Sequence, residues 1–137
     1  MKLEIGATLN RTHTITEEDL RRFYQTIQQP AEILQDAKDG TPDEAQLTAQ
    51  SIFATSLVTS LLEMIPGKDK VYHSQSLKFR RSIKLGDQIT TTLMVKYYRD
   101  GEMQVEARCI NQDGIVILDS DTLLTLSVED ASATNVP

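Results

Sequence analysis

The spacing of apolar residues changes partway along this chain, from helical before Pro66 to alternating after it. Residues 2–9 are short and mixed. Thr16 then precedes Glu17, Glu18 and Asp19, as at a helix start. There a hydroxyl caps free N–H groups, and acids favour the positive end of the helix dipole. Leu20, Phe23, Tyr24 and Ile27 follow at helical spacing, which predicts an amphipathic helix over residues 17–27. Gln28-Gln29-Pro30 breaks it, a second short helix is expected over residues 31–37, and Asp39-Gly40-Thr41-Pro42 reads as a loop. Residues 48–65 predict the principal helix. Ile52, Phe53, Ala54, Leu57, Val58, Leu61, Leu62, Met64 and Ile65 cover most of its circumference. The rest is mainly small hydroxyls: Thr55, Ser56, Thr59 and Ser60. A helix apolar nearly all round is a buried helix, and its hydroxyls can bond to its own carbonyls. Pro66-Gly67 stops it.

Beyond Gly67 the pattern predicts strands. Residues 71–83 read as extended, and Gly86-Asp87 as a turn. Ile89, Thr91, Leu93 and Val95 alternate with Thr90, Thr92, Met94 and Lys96. Asp100-Gly101 is a two-residue hairpin signal, Val105, Ala107 and Cys109 form the return strand, and Asp113-Gly114 is a second such turn. Residues 115–128 predict a last strand with Thr122, Leu124, Leu126 and Val128 on one face. Residues 129–137 are small and polar, a fraying tail after a single domain over 1–128. One long helix is buried by a single sheet only if the sheet curls around it. The fold class is therefore α+β: an antiparallel sheet wrapped around a long central helix, which describes a hot-dog fold.

Composition narrows the chemistry. The chain has 137 residues, long enough for a core without disulfides or metals. Its net charge of −6 argues against nucleic acid as a partner, since phosphate-backbone binding needs a concentrated basic surface. The one basic cluster, Lys78, Arg80, Arg81 and Lys84, is short. It reads as an exposed strand face, or as a contact for a small anionic ligand such as a nucleotide-bearing cofactor tail. Cys109 is the single cysteine and reads as an inert core thiol. His13 and His73 are the only imidazoles, so no metal site is expected. His73 is expected on the same strand face as Gln75, two residues on. No apolar run approaches the roughly 18 residues of a membrane span, and no signal peptide is evident, so a cytoplasmic location is expected.

Several stretches carry a resemblance. Ala49-Gln50-Ser51-Ile52 opens the principal helix, Ser74-Gln75-Ser76-Leu77-Lys78-Phe79 follows downstream, and then Ile83-Lys84-Leu85-Gly86-Asp87. In this order and spacing they resemble the MaoC-like (R)-specific enoyl-CoA hydratases. The likeness runs over about residues 2–128 and also takes in Ile5-Gly6 and residues 14–19. It implies a tunnel for an acyl thioester of coenzyme A or acyl carrier protein, with no other cofactor, and a homodimer or a heteromer with a second hot-dog subunit. It also implies a catalytic motif, Asp-x-Asn-Pro-x-His. Here the matching stretch is Ile27-Gln28-Gln29-Pro30-Ala31-Glu32, so Ile27 replaces the Asp and Glu32 the His. Adding water to an enoyl thioester needs one group to deprotonate water and one to protonate carbon. Ile27 can do neither, and loss of such a group typically costs about 10²–10⁴-fold in rate.

The remaining candidates follow from the same resemblance. Glu32 is the one carboxylate at a catalytic position. Gln29, Gln50, Ser51, Thr59 and Gln75 are the candidate substrate contacts. Ser51 stands where the family's Gly donates a backbone N–H to the thioester oxygen at a helix N-terminus. The expected function is a thioester binder that is inactive or a non-catalytic subunit. The alternatives are an active hydratase or thioesterase using Glu32, or a structural module whose tunnel is filled by Phe53 or Ile27.

Overall fold

The computed structural model describes residues 1–28 and 52–127. The elements are β1 (Thr8–Thr14), α1 (Glu17–Thr26), α2 (Thr55–Leu62), β2 (Lys68–Phe79), β3 (Gln88–Arg99), β4 (Glu102–Ile110) and β5 (Val116–Ser127). The five strands form one antiparallel sheet in the order β1-β3-β4-β5-β2. The expected elements over 31–42, and the tail from 129, lie outside the described residues.

The inner face of the sheet meets α2 and α1. Ile89, Leu93 and Val95 of β3, Met103, Val105, Ala107 and Cys109 of β4, and Leu118, Leu124 and Leu126 of β5 are buried there. Ala54, Val58, Leu61, Leu62 and Ile65 close the core from the helical side, with Ile15, Leu20 and Tyr24 around α1. Thr122 and Leu126 are buried as the alternation requires. Irregular pairing at Val95/Tyr97 of β3 and Cys109/Ile110 of β4 interrupts the ladders. Bulges of this kind bend a sheet and increase its twist, which lets a sheet wrap a helix.

Helix α1 starts as the sequence predicts. Thr16 and Asp19 form a capping box, with Asp19 N–H donating to Thr16 Oγ1 at 3.0 Å and Thr16 N–H to Asp19 Oδ2 at 3.0 Å. The Asp100-Gly101 hairpin also holds, with both residues at positive φ, 53° and 81°. The Asp113-Gly114 turn is longer than a two-residue turn. It spans residues 111–115, closed by Asn111 N–H to Ile115 O at 3.0 Å, while Asn111 Oδ1 accepts the N–H groups of Asp113 and Ile115.

Two expectations need correcting. The principal helix ends earlier than expected: α2 stops at Leu62, not Ile65, while Ile52 and Phe53 are helical ahead of a turn at Ala54 and residues 48–51 lie outside the described residues. Its exposed positions are Ser56 and Thr59, and Ile52 and Met64 on either side of it are 46% and 47% exposed. Its hydroxyls behave as expected: Thr55 donates to Ile52 O, Ser56 to Phe53 O, Thr59 to Thr55 O and Ser60 to Leu57 O. The segment read as short and mixed ends in a strand, β1. It pairs with β3 from Thr8↔Met94 to Thr14↔Gln88.

Candidate functional site

Four of the predicted site residues, Gln29, Glu32, Gln50 and Ser51, lie outside the described residues. Ile27, expected at the Asp position of the catalytic motif, caps the C-terminus of α1, its N–H bonded to Phe23 O at 3.1 Å. The residue is 39% exposed. Phe53 is half-buried and packs edge-on against Phe23, with ring centroids 5.7 Å apart.

Thr59 and Gln75 are described, and no hydrogen bond joins them. The Thr59 hydroxyl is spent on Thr55 O at 3.2 Å. Gln75 turns to the inner face of β2, where its amide N–H₂ donates to Thr122 Oγ1 at 3.1 Å and reaches Ser120 Oγ at 3.5 Å. Thr122 and Ser120 are buried. Gln75 thus satisfies buried hydroxyls and keeps its carbonyl oxygen available. The inner side of the strand end carries Leu77 and Phe79, register partners of Ser120 and Leu118.

His73 does not share Gln75's face. The register shifts between Tyr72 and Ser74, so His73 is an extra residue in the strand. Its Nε2 lies 3.0 Å from Thr125 Oγ1 on the outer face. The period-two argument fails at this bulge. His13 pairs with Asp19, Nε2 to Oδ2 at 2.8 Å. Partial burial pushes the Asp19 carboxyl up, but the Thr16 N–H and the His13 ring outweigh it and hold it below the usual range. Asp19 is therefore engaged at the helix cap. Cys109 is buried, and burial pushes its thiol up, away from a reactive thiolate.

The Gly86-Asp87 turn proves to be a clamp. Gly86 has φ +91°, and its N–H donates to Ile15 O at 2.8 Å. The buried Asp87 carboxylate accepts Lys84 N–H at 2.8 Å and the Gln112 amide at 3.1 Å. This motif holds the entry to α1 against the 84–87 turn.

Two polar arrangements escaped the sequence. Tyr72 donates its hydroxyl to Glu63 just past α2, and burial together with that carboxylate pushes the phenol well above its usual range. On the outer face, Asp119 accepts Arg108 Nε at 2.8 Å and Arg80 Nε at 3.0 Å. Partial burial pushes the Asp119 carboxyl up, but the two guanidiniums outweigh that and hold it below the usual range. The same face carries a shallow two-lobed groove, each lobe about 340 Å³, along Ser74, Gln104, Leu123 and Tyr97. Among the described residues no group of three or more His, Cys, Asp or Glu is placed to hold a metal. No described helix is long and apolar enough to cross a membrane.

A curled five-stranded antiparallel sheet around a helix, with the hydratase-like strand and turn in place, defines a class. Residues 4–120 match the family described as the FAS1-like dehydratase domain region, and the chain belongs to that family. Over 92 residues it is 27% identical to the (R)-specific enoyl-CoA hydratase of Rhodospirillum rubrum, covering 66% of this chain and 64% of that protein. The match thus spans less than two thirds of that relative's length. An unliganded (R)-hydratase from Pseudomonas aeruginosa superposes with a TM-score of 0.72 at 22% identity, over 91% of this chain and 83% of that one. One chain of the ChsH1-ChsH2 complex from Mycobacterium tuberculosis gives 0.68 at 17% identity, over 91% and 99%. The hot-dog fold and the MaoC-like resemblance read from the sequence both hold.

Proposed function

We propose that the protein binds an acyl thioester, of coenzyme A or acyl carrier protein, and does not hydrate it efficiently on its own. The observation that carries this reading is Ile27: a hydrocarbon side chain at the end of α1 where the hydratases place an acid. The thioester ligand is inferred from the hydratase relative and the family. Such a chain serves fatty acid metabolism as the non-catalytic half of a hot-dog pair, in the cytoplasm. Support for a paired assembly is the neighbour found in a two-component complex. Edge strand β2 adds to it, because it is exposed along nearly all of its twelve residues. Such an edge is a template for another strand, supplied by a second copy or a second hot-dog subunit.

Turnover is tested with crotonyl-CoA hydration and acyl-CoA hydrolysis on the full chain. The expected hydration rate lies at least about 10²-fold below that of an intact hydratase. Robust hydration that survives Glu32→Ala overturns the reading. Efficient turnover abolished by Glu32→Ala moves the function to an active hydratase or thioesterase built on Glu32. Assembly is read by sedimentation, where a dimer is expected and Leu77→Lys shifts it toward monomer.

A further inference from the structure

The cations near the end of β2 have no part in the chemistry above. Lys78 is the register partner of Asp119, so its side chain shares the outer face with that carboxylate. Arg108, on β4, is the register partner of Asp119 on its other side. Arg80 follows β2 directly. Three cations therefore share this face with two carboxylates, Asp119 and, two residues on along β5, Asp121, a local excess of +1 (3 − 2) on a chain whose total is −6. Glu106 is neutralised by Lys96 at 3.0 Å, while Asp121 accepts the neutral Gln104 amide at 3.1 Å and keeps its charge.

Each arginine spends only Nε on Asp119. Among the described residues, the terminal nitrogens of both guanidiniums have no acceptor. Both side chains remain open to solvent, at 49% for Arg80 and 61% for Arg108. A guanidinium with free terminal nitrogens is a planar, two-pronged donor suited to phosphate oxygens. Asp119 holds both forks in place in advance, which lowers the ordering cost of binding. Two guanidinium forks and an ammonium match the three terminal oxygens of a phosphomonoester better than the two of a diester.

The location fits a long ligand. The N–H groups of Arg80 and Arg81 both donate to Ile117 O, at 2.8 and 3.3 Å, so the chain turns there at the end of the sheet. Ser82 and Ile83 follow into the interior. Leu77 and Phe79 occupy the inner side of the same strand end. A ligand with its acyl end on the inner side and its nucleotide outside would pass over this rim.

We propose that Lys78, Arg80 and Arg108 form a phosphate fork that takes the phosphomonoester of the coenzyme's nucleotide end. The choice of coenzyme rests on the thioester reading. The fork itself rests on its own geometry. It also favours free acyl-CoA over acyl carrier protein, whose prosthetic arm carries a phosphodiester.

The test is titration calorimetry of the full chain with coenzyme A, 3′-dephospho-coenzyme A and adenosine 3′,5′-bisphosphate. Each is run against wild type, Lys78→Gln, Arg80→Gln and Arg108→Gln. Each arginine variant is expected to weaken coenzyme A and the bisphosphate about tenfold. Lys78→Gln, which disturbs no ion pair, is expected to weaken them about threefold. Wild type should bind dephospho-coenzyme A about tenfold more weakly, with no further loss in the variants. These differences should shrink as salt rises. Equal binding of the bisphosphate by all four proteins, or none by wild type at low salt, makes the cluster an ion ladder bracing the sheet and overturns the fork. Bisphosphate binding lost in the variants, with acetyl-coenzyme A titrated in parallel and bound no more tightly than the bisphosphate, keeps the fork and removes the thioester reading instead.

Discussion

Gln75 separates a structural role from a ligand role by an inverted order of stability. Its amide donates to Thr122 Oγ1 at 3.1 Å, and Thr122 is only 1% exposed. The contact to Ser120 at 3.5 Å is at the limit of a hydrogen bond and adds little. Gln75→Ala removes the donor but opens a path for water to Thr122, so the loss is about 0.5–1 kcal/mol. Gln75→Leu keeps the bulk and shuts water out. The Thr122 hydroxyl is then covered and unpaired, which costs about 1–3 kcal/mol. Leucine would thus be the worse substitution, against its advantages in apolar area and strand preference. The assay is urea unfolding, where each 1 kcal/mol also lowers Tm by roughly 3–5 °C for a chain of this size. Thr122→Val should recover about 1 kcal/mol when combined with Gln75→Leu and nothing in wild type, a coupling that marks the pair. A Gln75→Leu protein as stable as wild type would refute the argument. A loss of thioester binding without any loss of stability would make Gln75 a ligand contact alone.

Three further outcomes follow from the same structure. Leu61→Ala empties a fully buried site between α2 and the sheet and should cost about 2–5 kcal/mol in chemical unfolding. The Asp119 carboxyl lies below its usual range when folded, so its ion pairs stabilise the protein fully above the unfolded value of about 3.9 and are lost as pH falls through the folded value. Asp119→Asn should therefore flatten the acid limb of a Tm-against-pH curve below about pH 4. Cys109 should resist a thiol-reactive disulfide reagent at neutral pH and react fully once urea unfolds the chain. Rapid labelling of the native protein would contradict its burial.

The readable parts of the sequence were those where local chemistry and burial agree. Thr16 and Asp19 mark a helix start by side-chain hydrogen bonds that need no tertiary partner. Strands β3 to β5 alternate because one face packs on the core and the other meets water. Strand β1 hid because its inward positions after Leu9 are Arg11 and His13. Arg11 is satisfied by the distant Ser60 and Met64, and His13 by Asp19 at the start of the next element. The principal helix is over-read at its end because its apolar run continues past Leu62 to Met64 and Ile65, of which Met64 is exposed. At the site, Ile27 is where the motif resemblance places an Asp, and the structure sets it at the end of α1. The Arg80–Asp119–Arg108 cluster was not, because only the pairing of β2, β5 and β4 brings those residues together, and the ladder slips near Ile117.

The extra residue at His73 has a consequence for length changes in β2. Removing one residue from a strand ordinarily inverts every side chain beyond the cut. Here Tyr72 pairs with Leu124 and Ser74 with Leu123, so excising His73 would join two halves that already face correctly. Gln75 would still reach Thr122, and Lys78 would still stand beside Asp119. What would disappear is the local coiling of the edge. This one position lets the chain gain or lose a residue while both faces of the strand keep their assignments, and the curvature of the sheet's rim can change independently of what lines it.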